Sequence, residues 1–278
     1  MKIGLYYEYG KTKEIGTGHK YRAIELTKEL NRKGHKVEHT NEDVVMTHWD
    51  MLIIDHIDSK KDMIARAKNA KIKTVLIDGD ASDVEDVDLS ISAFFNPRSQ
   101  YKGVKYMIFP TDISWSHYNP YNKNTSVFVA MGGFDYNNYT QAILDILNEL
   151  QINAVVAHSI NHPDFRQTYK RVAIYDGDNY YDVMNECKMA ITNGGLSLFM
   201  CLKYGMPTIA VPQYDHQQRN IDGIDMCCVP AKMDIPDLKE KIQYLWGNEY
   251  YRQSLSVLSQ YFVDGKATKR VCELINGI

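Results

Sequence analysis

The chain has 278 residues, 44% hydrophobic and 24% charged, with a formal net charge of −3. That length fits about two domains of ~100–200 residues each. The near-neutral balance, with basic residues dispersed, argues against nucleic acid as a partner. No apolar run approaches the ~18–20 residues of a membrane span, so no stable membrane insertion is expected. The five cysteines, Cys187, Cys201, Cys227, Cys228 and Cys272, are odd in number and hold no C-x-x-C pair. They predict neither a zinc site nor a disulfide framework, and reduced thiols fit a cytoplasmic protein. The N-terminus enters a strand directly, with no basic and long apolar leader, so no signal peptide is expected. Twenty tyrosines suit sugar or base stacking, although tyrosine also serves cores and interfaces.

Strand and helix signals alternate along the chain. KIGLYY reads as a strand and His19 to Arg32 as a helix that Gly34 ends; the strand HKVEHT follows. MLIIDH and KTVLIDGD are short apolar runs ending in acids, like buried parallel strands. Between them, Ser59 is an expected N-cap of a helix through Asn69. DLSISAFF and KYMIFP are further expected strands. Thr111 to Ser126, polar, aromatic and proline-containing, reads as a linker. Alternation resumes with SVFVAMGG, a helix from Tyr139 to Glu149, NAVVAHS, RVAIYDG, a helix from Tyr180 to Cys187, MAITNGG, a helix from Leu196 to Tyr204, and PTIAVPQ. Helices at Ile235 to Trp246, Tyr250 to Tyr261 and Ala267 to Ile275 complete the chain. Two βαβ arrays imply α/β architecture: two doubly wound, Rossmann-like domains, 1–118 and 119–278, with a cleft between them and the last helix packing back on the first domain.

Ligands of such sheets bind at the carboxyl ends of the strands. Four segments are expected there: Gly16, Gly18 and His19; Met131 to Asn138; Thr192 to Phe199; and Pro212 to Asn220. Gly194 and Gly195 join a strand to a helix whose first free amides favour a phosphate, with Ser197 as a further donor. Gly132 and Gly133 can bring backbone amides close without side chains in the way. Two such loops suit a diphosphate; each glycine pair also suits a tight turn. Neither matches a P-loop or a full G-x-G-x-x-G. His19 can accept a proton near neutral pH, or can simply pack at the helix start. Asp55, Asp78 and Asp80 can bind sugar hydroxyls or cap helices. His158 and His162 follow a strand and can approach the cleft.

GTGHKYRAIELTKELNRKGHKV, LIIDH…KTVLIDGDASDVEDVDLSI, VFVAMGGFDYNN, NECKMAITNGGLSLFMCLKYGMPTIAVPQYDHQQRN and VDGKATKR, in that order, resemble the UDP-sugar hydrolase of pseudaminic acid biosynthesis and related spore-coat polysaccharide proteins. More distantly, the layout is similar to the GlcNAc transferase that makes lipid II. The resemblance implies a GT-B fold, a nucleotide held mainly by the C-terminal domain, and His19 as the catalytic histidine. It implies no cofactor and no metal. Met200 stands where the family has a glutamate for the ribose hydroxyls, and methionine cannot accept those hydrogen bonds. His216 stands where the hydrolases have asparagine.

The candidate set is therefore His19 as catalytic residue, with Gly16, Gly18, Arg22, Gly132, Gly133, Asp135, Asn138, Asn193, Gly194, Gly195, Leu196, Ser197, His216 and Gln217 at the nucleotide-sugar substrate. The expected activity is hydrolysis of a nucleotide sugar, water attacking the anomeric carbon with help from His19. One alternative is a GT-B glycosyltransferase with an acceptor hydroxyl in place of water. Another is a protein that binds the ligand without turnover, for which Met200 speaks.

Overall fold

Residues 1–8, 18–43, 48–93, 98–109, 118–119, 125–133, 135, 137–157, 171–175 and 180–278 are described in the computed structural model. Gly16, His158, His162 and most of the expected linker lie outside the described residues. The chain divides into two units, Met1–Ile113 with Gly265–Ile278, and Ser114–Asp264. The first boundary thus falls at 113/114, and Tyr118 bonds within the second unit, its amide to the Tyr204 carbonyl and its hydroxyl to the Lys188 carbonyl.

In the first unit β1 (Lys2–Tyr7), β2 (Lys36–Thr40), β3 (Met51–Asp55), β4 (Lys73–Ile77), β5 (Leu89–Ser92) and β6 (Tyr101–Lys102) form a parallel sheet in the order β2-β1-β3-β4-β5-β6. Alternate side chains go to opposite faces, as a pleated strand requires. Ile3, Leu5, Met51, Ile53, Val75 and Ile77 share one core with Ala23, Leu26 and Leu30 of α1 (Gly18–Arg32). The last helix, Ala267–Asn276, adds Val271, Cys272 and Ile275 to that core, and Thr268 Oγ1 donates to the Phe109 carbonyl at 3.1 Å. Tyr6, Leu52, Ile54 and Leu76 face the other way, with Met63, Ile64 and Ala67 of α2 (Lys61–Asn69).

Two local expectations differ. Ser59 is not the α2 cap: its hydroxyl donates to Asp83 Oδ1 at 2.7 Å, and Asp83 Oδ2 accepts the Lys60 amide at 2.6 Å. An acid from a later turn therefore supplies the acceptors. KYMIFP is not a strand; Val104–Tyr106 is a 3₁₀ turn, and Tyr101–Lys102 forms the sheet edge instead.

The second unit holds β7 (Ser126–Ala130), β8 (Asn153–Ala157), β9 (Val172–Tyr175), β10 (Met189–Thr192), β11 (Thr208–Ala210) and β12 (Val229–Pro230), parallel in the order β12-β11-β10-β7-β8-β9. Counted within the unit, this is the Rossmann order 3-2-1-4-5-6 read from the opposite edge. Its helices are α3 (Tyr139–Glu149), α4 (Tyr180–Asn185), α5 (Leu196–Tyr204), α6 (Asp215–Asp222), α7 (Ile235–Gly247) and α8 (Glu249–Phe262). Ile143, Leu144 and Leu147 of α3 and Leu238, Ile242 and Leu245 of α7 share a core with Val127, Val129, Ile191 and Ile209 of the sheet. The segment Asp215–Asp222, read as part of a loop, is helical, with Gln217, Asn220 and Ile221 on its buried side. Polar residues occupy its inward positions, so the apolar period that marks a helix is missing.

Candidate functional site

Strand order locates the sites. In the first unit the chain runs from β1 out to β2 and then crosses to β3 on the other side, so the order reverses between β1 and β3. In the second it reverses between β7 and β10. Open α/β sheets bind ligands at the carboxyl ends of strands beside such switch points.

At the first switch point, α1 starts at Gly18 and carries His19 and Arg22 one turn apart, on one face. Asp55 ends β3, and Asp78 follows β4. Asp78 is held at φ +50°, a left-handed conformation that aspartate tolerates better than most residues. All four residues are buried. His19 Nδ1 lies 2.8 Å from Asp55 Oδ1. Arg22 donates from Nε to Asp55 Oδ2 at 3.2 Å, from Nη2 to Asp55 Oδ1, and from Nη1 to Asp78 Oδ2. Ser92 Oγ donates to Asp78 Oδ1 at 3.0 Å. Burial opposes the charge on Asp55, but the Arg22 guanidinium and His19 outweigh it and hold the carboxyl below its ordinary range. Burial likewise works against Arg22, and the two carboxylates overcome it, so its proton is held more tightly than usual.

The tautomer of His19 follows from this cluster. Nδ1 also lies 3.0 Å from Arg22 Nη2, which is a donor only. If Nδ1 carried a lone pair, that lone pair would meet a carboxylate oxygen at 2.8 Å in a buried site, a repulsion that low dielectric magnifies. A proton on Nδ1 lets ring and guanidinium both donate to Asp55 Oδ1. Nε2 then carries the lone pair and can take a proton from a hydroxyl or a water. The same carboxylate is in place to balance the charge the ring gains, as in any acid–histidine dyad.

His56, next to Asp55, is buried with its ring 6.3 Å from that of His19. Its Nδ1 accepts the Asp58 amide at 3.0 Å, which puts the proton on Nε2; Glu8 Oε2 lies 3.4 Å from that nitrogen. Burial, helped by nearby Lys60, pushes the His56 pKa down.

The second switch point is built from backbone and neutral amides. Gly132, at φ +85°, follows β7, and a Cβ there would lie 2.6 Å from Asn193 Nδ2. Asn193, after β10, donates from Nδ2 to the Met131 carbonyl at 2.8 Å and accepts the Gly195 amide on Oδ1 at 3.1 Å, so one side chain ties the two loops together. Gln213 Nε2 donates to the same Met131 carbonyl at 2.9 Å. Gln217 Oε1 accepts the Gln213 amide at 2.9 Å, and Asn220 Nδ2 donates to the Gly194 carbonyl at 2.8 Å. Gly194 rests on the α6 backbone, where any Cβ would overlap the Gln217 carbonyl oxygen. At the α5 N-terminus the Gly195 amide is satisfied by Asn193, while the Leu196 and Ser197 amides have no hydrogen bond among the described residues. Those two amides, at the positive end of the helix dipole, suit an anion.

The candidates thus fall into two groups. Gly18 and His19 belong to the first site; Gly132, Gly133, Gly194, Gly195, Leu196 and Ser197 belong to the second. His216, half-buried, stacks on Tyr214 with ring centroids 5.6 Å apart. Asn138 is left-handed at φ 54° and precedes α3. Three of the candidates have protein partners. Arg22 is held by Asp55 and Asp78. Asp135 accepts the Tyr139 and Thr140 amides at 2.9 and 2.6 Å and so caps α3. Gln217 braces the Gln213 turn. Met200 is buried on α5. Sequence reading missed the roles of Asp55 and Asp78 as the partners of His19 and Arg22; the signal available was two strands ending in acids beside a G-x-G-H turn. Among the described residues no group of three or more His, Cys, Asp or Glu could hold a metal ion, and no helix is long and apolar enough to cross a membrane.

No family model matches the chain. An uncharacterised protein of Methanocaldococcus jannaschii is 23% identical over 295 residues, covering 82% of this chain. The chain spans 59% of that relative's length. Among solved structures, MurG of Acinetobacter baumannii superposes with a TM-score of 0.72 at 12% identity, over 100% of this chain and 99% of that one. The glycosyltransferase of kitacinnamycin superposes with a TM-score of 0.69 at 13% identity, over 99% of this chain and 98% of that one. Together with the two parallel six-stranded sheets, these likenesses give the fold: α/β, with two Rossmann-like domains of the GT-B type.

Proposed function

We propose that the chain is a GT-B enzyme that moves a sugar from a nucleoside diphosphate to an acceptor hydroxyl, with His19 as general base. The observation that carries this reading is the buried His19–Asp55 contact at the first switch point. A protein that only binds a ligand has no use for an imidazole with its tautomer fixed by a carboxylate. In the reaction the acceptor O–H gives its proton to His19 Nε2 as its oxygen attacks the anomeric carbon. The bond from that carbon to the diphosphate oxygen breaks, and the nucleoside diphosphate leaves with the electron pair. The Leu196 and Ser197 amides receive the growing phosphate charge, and fixed dipoles do this at little reorganisation cost. A single displacement of this kind inverts the anomeric configuration. A diphosphate is a good leaving group, so the second carboxylic acid of ordinary glycosidases is not needed.

The structural likeness to a glycosyltransferase favours transfer over hydrolysis. Hydrolysis uses the same dyad with water in the acceptor position, and the ordered sequence motifs that resemble a UDP-sugar hydrolase favour it. The test is release of nucleoside diphosphate from UDP-, GDP-, CDP- and dTDP-sugars, with and without sugar acceptors. Acceptor-dependent release supports transfer, and steady acceptor-free release supports hydrolysis. In either case His19→Ala lowers turnover by ~10²–10⁴-fold with the nucleotide still bound. Nucleotide binding with no release under any condition overturns the enzymatic reading.

A further inference from the structure

The outward face of α8 breaks the pattern of a surface helix. Arg252, Leu255, Ser256 and Ser259 face inward and are buried. The opposite side, where charged residues normally stand, carries Tyr250, Ser254, Val257, Leu258 and Tyr261. Tyr250 is 83%, Val257 70% and Tyr261 79% exposed, with Phe262 beside them. The helix has two charged residues: Glu249, which leads it, and the buried Arg252. Three turns of outward surface therefore hold no charge. A contiguous exposed apolar stripe of this kind marks an interaction surface.

We propose that a second copy of this chain covers it, through an antiparallel α8–α8 contact. Two observations point to a second copy. The first is self-complementarity. A two-fold contact requires that if residue i meets residue j, then j meets i. An axis between Ser254 and Val257 pairs Tyr250 with Tyr261 of the second copy, and Ser254 with Val257. The stripe thus reads large, small, small, large, with its small residues where the helices approach most closely. The Ser254 hydroxyl is already used, donating to the Tyr250 carbonyl at 3.0 Å, so it loses nothing in an apolar contact. The second is area. At ~150–250 Å² per aromatic side chain, the exposed parts of Tyr250, Tyr261 and Phe262 offer roughly 400 Å². Val257 and Leu258 add to this, towards the ~800 Å² each partner contributes to a stable interface. Glu249, Gln253 and Gln260 flank the stripe on one side and supply a polar rim. A lipid surface fits less well, because α8 presents no exposed Lys or Arg for headgroups.

Sedimentation equilibrium of the full chain tests this. The wild type is expected to be a dimer at micromolar concentration and Val257→Glu a monomer with an unchanged far-UV circular dichroism spectrum. In an equimolar mixture of Ser254→Cys and Val257→Cys chains, the two are then joined between copies by a short thiol cross-linker; the five native cysteines are buried and do not compete. A wild type that stays monomeric to ~100 μM overturns the proposal. So does a dimer that survives Val257→Glu, or one that the cross-linker does not trap. Flotation with phosphatidylcholine vesicles by a monomeric wild type, lost in Val257→Glu, overturns it in favour of a lipid surface.

Discussion

The two switch points occupy equivalent places in their sheets and are built from opposite materials. The first is a buried cluster of ionisable side chains: His19, Arg22, Asp55 and Asp78, with Ser92 behind them. The second is backbone with neutral amides: the Gly132 and Gly194 turns, strapped by Asn193, Gln213, Gln217 and Asn220. A proton acceptor needs a side chain whose tautomer is fixed, and only a charged or polar neighbour can fix it. An anion site needs free amides close to the ligand, so side chains must stay out of the way and turns must be held from behind. On the proposed reading, proton transfer falls to the first unit and the phosphate to the second.

The largest effect expected from breaking the first site is on stability. Arg22→Met leaves Asp55 and Asp78 buried without their cation, and a loss of ~3–5 kcal/mol is expected in urea unfolding of the first unit. A loss under ~1 kcal/mol would mean that the guanidinium does not neutralise that pair. Next comes Asp55→Asn, which keeps the shape but presents an amide to the ring. Turnover should fall ~10²-fold or more, while nucleotide affinity, read by calorimetry, stays within about a factor of two. Parallel losses in both would erase the division of labour between the units. Gly194→Ala works on the other side. Its Cβ would overlap the Gln217 carbonyl, and backbone cannot swing away as a side chain can. A cost of ~1–3 kcal/mol is expected, with nucleotide affinity reduced.

The smallest effect is on pH dependence. His56 takes up a proton less readily in the fold than in the unfolded chain, where its value is about 6.5. Its contribution is therefore complete above 6.5 and is lost as pH falls below that value towards the lowered folded one. Asp55 also has a lowered pKa, but its contribution is complete above 3.8 and fades only as pH falls through its folded value. Between pH 7.5 and 5.5 the wild type should thus lose stability that His56→Gln does not lose. Equal slopes in the two proteins would show that His56 is not held neutral.

Legibility in the sequence differed between the sites. The glycine pairs and the helix from Leu196 to Tyr204 stood out, because a strand, two glycines and an apolar helix follow one another directly. His19 stood out because two glycines lead directly into its helix. The acids of its cluster did not: Asp55, its partner, and Asp78, the partner of Arg22, lie 36 and 59 residues beyond His19, and an acid at a strand end serves equally to cap a helix. For Arg22 and Asp135, charge near a glycine turn suits both a ligand and a structural pair; only the fold shows the protein groups that reach them. Ser59 failed as a cap for a related reason, since Asp83, distant in sequence, supplies stronger acceptors. The helix over Asp215–Asp222 escaped because its buried positions are filled by Gln217 and Asn220, which carry hydrogen bonds rather than apolar surface.

The central claim is that Asp55 keeps the His19 proton on Nδ1 and leaves Nε2 open. Long-range ¹H–¹⁵N correlation spectra of histidine-labelled protein, assigned with His19→Gln, read this directly. A neutral His19 protonated on Nδ1 in the wild type, and shifted towards Nε2 in Asp55→Asn, is the expected result. A wild-type ring protonated on Nε2, with Nδ1 accepting from Arg22, would contradict it.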